Sequence, residues 1–203
     1  EMPFVCHATL EPMNCTAYVS ENRCEIWVPT QNQTACLNKV KEITGFSKNK
    51  IKIHTTFLGG GFGRRLKVDY VEQAVIISNV IKKPVQLMWS REEDIQHGFY
   101  HSGSKSRFQI KLGNNGLPVQ IENQFVKPSH WIQNFKIFST MCFDPFSHYQ
   151  TAHSHFINKI KWYDFGVEHY YKVNVKYEHL DLGIPVGFWR TVFFIILSTW
   201  KVL

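Results

Sequence analysis

The stretch Ile51-Lys52-Ile53-His54-Thr55-Thr56-Phe57-Leu58-Gly59-Gly60-Gly61-Phe62-Gly63-Arg64-Arg65 decides how this chain is read. Ile51, Ile53, Thr55 and Phe57 alternate with Lys52, His54 and Thr56, the period-two pattern of a half-buried strand. That strand runs into Gly59-Gly60-Gly61-Phe62-Gly63, where four of the chain's 12 glycines fall together. Such a concentration serves backbone that turns with positive φ or passes close to something else. Beyond the loop, Tyr70, Ala74, Ile77 and Ile81 step by four, three and four residues, with Val71, Val75 and Ser78 beside them. The spacing predicts a helix over Leu66 to Lys82 with one apolar face, stopped by Lys82-Lys83-Pro84.

A strand, a glycine loop and a helix in succession place backbone N–H groups at the positive end of the helix, a natural seat for an oxyanion or phosphate. Arg64 and Arg65 add charge there. A tight turn with no ligand is the alternative. Standard nucleotide cradles are excluded: no register supplies Gly-x-x-x-x-Gly-Lys-Ser/Thr or a dinucleotide G-x-G-x-x-G, and there is no G-x-S-x-G nucleophile elbow.

Upstream, Cys24-Glu25-Ile26-Trp27-Val28 reads as a strand closed by Pro29, and Cys36, Val40 and Ile43 follow at helical spacing with a stop at Gly45. Downstream, Val85 to Trp89 is a strand, and Ser90-Arg91-Glu92-Glu93 has capping-box spacing. Arg107 to Leu112 and Val119 to Val126 alternate around Asn114-Asn115-Gly116, a hairpin signal. Residues 128–165 are aromatic and histidine-rich with no steady period. Val173, Val175 and Tyr177 mark another strand, and a loop over Gly183 to Gly187 delivers Phe188-Trp189-Arg190. With no repeat and no linker in view, the expectation is mixed α+β packing in one unit.

Composition narrows the class. The chain has 203 residues, 44% hydrophobic, 15% aromatic and 19% charged, which excludes a disordered chain and a disulfide-stapled miniprotein. The net charge of +7 attracts anions in general, but the basic residues are dispersed and no nucleic-acid motif accompanies them, so no nucleic-acid partner is expected. Cys6, Cys15, Cys24, Cys36 and Cys142 are odd in number and lack C-x-x-C spacing, so free buried thiols are expected and no protein-ligated metal. His148, His153 and His155 have no metal spacing either. The apolar run that includes Phe193 to Leu197 is too short to cross a bilayer, so no transmembrane segment is expected.

Three ordered motifs then carry a resemblance. His7-Ala8-Thr9-Leu10-Glu11-Pro12-Met13-Asn14-Cys15, Trp27-Val28-Pro29-Thr30-Gln31 and Gly59-Gly60-Gly61-Phe62-Gly63-Arg64-Arg65 are similar to successive signatures of the molybdenum hydroxylases, the xanthine dehydrogenase and aldehyde oxidase superfamily. Arg-Arg after Gly63, with Trp89-Ser90-Arg91-Glu92-Glu93-Asp94-Ile95 and Gly187-Phe188-Trp189-Arg190, resembles most the isoquinoline 1-oxidoreductase beta-subunit branch. The resemblance runs over about residues 4 to 192. It implies an α+β fold that is part of a molybdopterin-binding domain of the large-subunit type, with residues 1–192 in that domain and 193–203 a non-family tail.

By this resemblance, Gln31 and the loop residues Gly61, Phe62 and Gly63 bind a molybdopterin-type molybdenum cofactor, of which the cytosine dinucleotide form is one version. Arg190 resembles the arginine near the substrate pocket. The implied reaction is hydroxylation of an N-heterocycle or oxidation of an aldehyde with water as the oxygen source, and electrons pass to iron–sulfur clusters on a small partner subunit. Leu66 stands where many relatives carry an acidic residue, which argues against xanthine-like purines as substrate. No catalytic residue is expected in this chain, because the family's general-base glutamate belongs to a motif further toward the C-terminus. The chain is therefore expected to be a fragment, inactive alone, with the tail the product of a frameshift or truncation. The alternatives from other classes are a non-catalytic module that grips an anion with Arg64 and Arg65, and an inactive pseudogene product. Compartment is left open between cytoplasm and periplasm.

Overall fold

The computed structural model describes residues 1–129, Gln133, Lys161–Trp162, Val167–Glu168 and residues 172–189. In chain order the elements are β1 (Val5–Cys6), β2 (Asn14–Val19), β3 (Cys24–Val28), α1 (Gln33–Thr44), β4 (Ile51–Thr55), α2 (Asp69–Ile81), β5 (Val85–Met88), α3 (Arg91–Gln96), β6 (Tyr100–His101), β7 (Lys105–Leu112), β8 (Pro118–Lys127), β9 (Lys161–Trp162), β10 (Val167–Glu168) and β11 (Lys172–His179). Short 3₁₀ turns cover Lys48–Lys50 and Arg64–Leu66. Instead of the single packing unit expected from sequence, the chain forms two. One comprises Cys6–Phe99 and the segment from Gly187; the other comprises Glu1–Val5 and Tyr100–Val186. Each unit is assembled from discontinuous pieces, so no single linker marks a boundary in the sequence.

In the unit built on Cys6–Phe99, four strands lie in the order β4-β3-β2-β5. β3 pairs parallel with β4 and antiparallel with β2, which pairs antiparallel with β5. Strict alternation puts Cys15, Ala17 and Val19 of β2 and Cys24, Ile26 and Val28 of β3 on one buried face. Cys36 and Val40 of α1 and Tyr70, Val71, Ala74 and Val75 of α2 close the core over that face. Burial of each Val- or Ile-sized side chain stabilises by about 1.5–3 kcal/mol, so this sheet-on-helix contact, more than helix propensity, holds α1 and α2 in place.

Local chemistry sets the ends. The Asn32 side chain accepts from the Ala35 N–H at 2.9 Å, and Gly45 closes α1 in the left-handed region at φ 70°. Ser90 Oγ accepts from the Glu93 N–H at 3.2 Å, realising the capping spacing read in the sequence. Ser78, buried in α2, accepts from the Val19 N–H and donates to the Lys83 carbonyl, fastening the end of β2 to the end of the helix.

Two sequence expectations shift here. β4 ends at Thr55, so Phe57 is fully exposed and not part of an alternating strand. Its partner β3 ends before Pro29, which has no N–H to continue the ladder, and the Thr56 N–H bond to the Val28 carbonyl is the last one. The helix starts at Asp69, and its buried stripe is Tyr70, Val71, Ala74, Val75 and Ser78, leaving Ile77 and Ile81 more than 40% exposed. Contact with β2 selects Ser78 for the inside, turning the helix from the phase that apolar spacing alone suggests.

In the other unit, β8 is central to a sheet ordered β11-β8-β7. β7 and β8 form the predicted hairpin around Gly116, which has φ 73°, and β11 runs parallel to β8 from Lys172 beside Gln120 to His179 beside Lys127. The Gln133 side chain donates to the Ile184 carbonyl and accepts from the Val186 N–H, bracing the loop before Gly187. Among the described residues no helix is long and apolar enough to cross a membrane.

Candidate functional site

The glycine loop leaves β4 and is held at both ends by side chains from elsewhere in its unit. At its far end the Gly63 N–H donates to Gln31 Oε1 at 3.1 Å. Gln31 is itself fixed: its N–H donates to the Arg65 carbonyl at 3.1 Å, and Thr30 donates to the same carbonyl from its hydroxyl. With the amide oxygen committed to Gly63, the Nε2 group has no partner among the described residues. A Cβ on Gly61 would come within 2.6 Å of the Gln31 amide, so glycine is what lets loop and side chain meet. Gly63, at φ 97°, packs on the Phe188 carbonyl where a side chain would collide.

The turn between these anchors is unusual. Phe62 sits in the left-handed region at φ 51°, where a non-glycine residue is strained, and its side chain is half exposed. The N–H groups of Gly60, Gly61 and Phe62 have no acceptor among the described residues. These amides and the Gln31 Nε2 form a patch of donors without a protein acceptor among the described residues. Such a patch suits a ligand rich in oxo, phosphate or pterin acceptors. The residues present therefore fit a molybdopterin-type group.

The site differs from the expected helix-end oxyanion seat in two ways. The loop enters a three-residue 3₁₀ turn, Arg64–Leu66, so no helix dipole points at it. Arg64 and Arg65 are also not available to an anion. Arg64, 2% exposed, makes a two-pronged pair with Asp69 at 2.9 and 2.8 Å and lies between the Trp89 and Phe99 rings, each 5.4 Å away. Arg65, completely buried, donates to the Gly60, Pro29 and Glu11 carbonyls and to the Glu11 carboxylate. Their charge builds the site from beneath, which removes the observation behind an anion-gripping module.

Two residues were not singled out by sequence. Glu11 accepts from the Gly59 N–H at 2.8 Å and from Arg65 at 2.9 Å through one oxygen, and from Asn14 at 2.8 Å through the other. His7 is buried, stacks on Trp189 at 4.4 Å, and faces the Phe99 and Phe188 carbonyls, each at 2.9 Å. Burial pushes the His7 pKa down, outweighing the two carbonyls that favour the protonated ring. Both residues lie in the first motif quoted above, but the partners that define them are distant in sequence and leave no local pattern.

Burial raises the Cys15 thiol to about 12 and the Cys24 thiol to about 11, so both behave as apolar core groups. Cys15, Cys24 and Cys36 are buried and unbridged, and Cys6 is half-buried and unbridged. Arg190, Cys142, His148, His153 and His155 lie outside the described residues.

Residues 1–159 match the molybdopterin cofactor-binding domain, and the chain belongs to that family, within the molybdenum hydroxylases. Among relatives, it is 34% identical over 107 residues to a membrane-bound aldehyde dehydrogenase [pyrroloquinoline-quinone] of Gluconacetobacter polyoxogenes, covering 52% of this chain and 14% of that protein. It is 31% identical over 129 residues to the isoquinoline 1-oxidoreductase subunit beta of Brevundimonas diminuta, covering 63% of this chain and 16% of that one. The fold is similar to quinoline 2-oxidoreductase from Pseudomonas putida 86, with TM-score 0.69, 15% identity, and 95% of this chain and 23% of that chain covered. The chain thus spans less than a quarter of the length of each of these proteins.

Proposed function

We propose that this chain supplies one wall of the molybdenum-cofactor site of a larger oxidoreductase acting on an aldehyde or an N-heterocycle. The observation that carries this reading is the Gln31 amide, whose oxygen is tied to the Gly63 N–H so that its donor end is left for a ligand. Gln31, Gly61, Phe62 and Gly63 would hold the cofactor: Gln31 by donating from Nε2, Gly61 and Phe62 by presenting backbone N–H groups, and Gly63 by fixing the Gln31 amide. When bound, a molybdenum pterin cofactor supplies two-electron oxidation with oxygen drawn from water.

The protein's part is orientation. A glutamine fixed by backbone at two points loses little entropy when it engages a ligand, and preorganised donors of this kind stabilise charge without rearranging. Arg190 is assigned to the substrate side on the family resemblance, where a guanidinium suits a polar heterocycle or an aldehyde oxygen that gains charge. A partner subunit bearing iron–sulfur clusters receives the electrons, and the general base comes from polypeptide beyond this chain. On this reading the chain by itself is inactive.

The test is oxidation of isoquinoline and of benzaldehyde, with an artificial electron acceptor, by the assembled enzyme that contains this chain in ¹⁸O-labelled water. The expected product carries the label from water. Absence of oxidation with both substrates, or product oxygen that is unlabelled, contradicts the reading. Molybdenum content separates it from the quinone named for the Gluconacetobacter relative.

A further inference from the structure

The loop's near end raises a question that the cofactor-facing residues do not answer: what keeps four glycines in one shape when no ligand is bound. We infer that Glu11 is a positioning residue which, through Arg65, sets the conformation of the whole Gly59–Gly63 loop; this rests on the functional reading above.

Glu11 grips the loop from side chain and backbone together. Its Oε2 accepts from the Gly59 N–H at 2.8 Å, while its own N–H donates to the Gly59 carbonyl at 3.0 Å. That reciprocal pair fixes the plane of both peptides at Gly59. The same Oε2 takes Arg65 Nη2 at 2.9 Å, and Arg65 Nε reaches back to the Gly60 carbonyl at 2.7 Å. One carboxylate and one guanidinium therefore restrain two successive residues at the loop's start. Arg65 also carries the restraint across, because its carbonyl accepts from the Gln31 N–H at 3.1 Å and Gln31 holds Gly63. The chain of contacts runs Gly59, Glu11, Arg65, Gln31, Gly63, joining one end of the loop to the other.

Charge makes this linkage specific to a carboxylate. Arg65 is completely buried and Glu11 is the one carboxylate that pairs with it within 4.0 Å among the described residues. Without that anion the guanidinium keeps three carbonyl acceptors, from Gly60, Pro29 and Glu11, but no countercharge. A buried cation left uncompensated draws in water or moves. Movement of Arg65 shifts the carbonyl that holds Gln31. Glu11 also has a stable seat, since Asn14 donates to Oε1 at 2.8 Å and to the Pro12 carbonyl at 3.0 Å. It touches neither the Gln31 amide nor the free loop amides, so it acts through other groups.

The test uses Glu11→Ala and the milder Glu11→Gln in the assembled enzyme, with Val40→Ala in the core of the same unit as a stability control. Amide hydrogen exchange is read at Gly63, whose N–H Glu11 does not touch, alongside molybdenum and pterin retained after gel filtration. The expected result is Gly63 exchange accelerated at least tenfold in E11A and less in E11Q, with cofactor retention falling in the same order. Val40→Ala should lower Tm without either effect. Gly63 exchange in both Glu11 variants equal to that in Val40→Ala overturns the inference. If E11A does not fold, E11Q against Val40→Ala decides alone. If the unaltered enzyme holds no molybdenum and no pterin, the functional reading fails, and Gly63 exchange still decides whether Glu11 sets the loop.

Discussion

The Gly63 N–H donates to Gln31 Oε1 at 3.1 Å, and this one bond fixes which end of the glutamine amide is offered outward. Gln31→Glu keeps an oxygen for Gly63 but removes both Nε2 donors. Stability should change by less than about 1 kcal/mol, as for a half-exposed polar replacement. Cofactor retention should fall by about tenfold or more, the weight of one good hydrogen bond. Urea unfolding read beside molybdenum content checks both halves.

Gly63 and Gly116 have similar backbone angles, φ 97° and 73°, yet different surroundings. Nothing lies within 4 Å of a Cβ built on Gly116, whereas one on Gly63 collides with the Phe188 carbonyl. Gly116→Ala should cost about 1 kcal/mol from conformation alone, and Gly63→Ala about 2 kcal/mol or more. Denaturant midpoints of the two variants rank them.

Much of this was legible. The strand at Ile51–Thr55, the glycine cluster, the stop at Gly45 and the Ser90 cap are local signals that lie where their patterns put them, although the alternation expected to run on to Phe57 does not. Long-range pairing was not legible. Arg64 and Arg65 read as free charge because their partners, Asp69 and Glu11, are recognisable only once the chain has folded. The phase of α2 was off only toward its end: Ile77 and Ile81 are exposed, while Ser78 is held inside by accepting from the Val19 N–H, a bond no hydrophobic period records. Gln31 was singled out through its motif, but the bond that orients it spans 32 positions and leaves no mark in either segment.

Removing the countercharge of Arg64 should be costly. Arg64 is 2% exposed and Asp69, about a quarter exposed, is bonded to both of its terminal nitrogens. Asp69→Ala leaves a buried cation and strips a carboxylate from the first turn of α2. The expected loss is about 2–4 kcal/mol, below the full cost of a wholly buried pair because Asp69 is partly solvated. Asp69→Asn, which keeps one acceptor, should lose less. Urea titrations of both variants measure the difference.

His7 makes stability fall in acid. Its folded pKa is depressed below the ordinary 6.5 by burial, so below that pH the unfolded chain binds the proton more readily than the folded one. The stabilisation is present in full above 6.5 and is lost as pH falls toward the folded value. Its slope cannot exceed about 1.4 kcal/mol per pH unit, that of one proton. His7→Gln should flatten this limb between pH 6.5 and 5, even if it lowers stability at pH 7.5. Unfolding free energies across that range supply the comparison.

The central claim is that this chain presents Gln31 and its glycine loop to a molybdenum cofactor. The most direct measurement is molybdenum and pterin content, per protein, of the assembled enzyme carrying either the unaltered chain or Gln31→Glu, expressed in a cofactor-producing host. The account predicts molybdenum and pterin together in the unaltered enzyme and a loss of about tenfold or more in the variant, with both proteins folded. A folded, unaltered enzyme with neither molybdenum nor pterin, or equal content in the two, contradicts it.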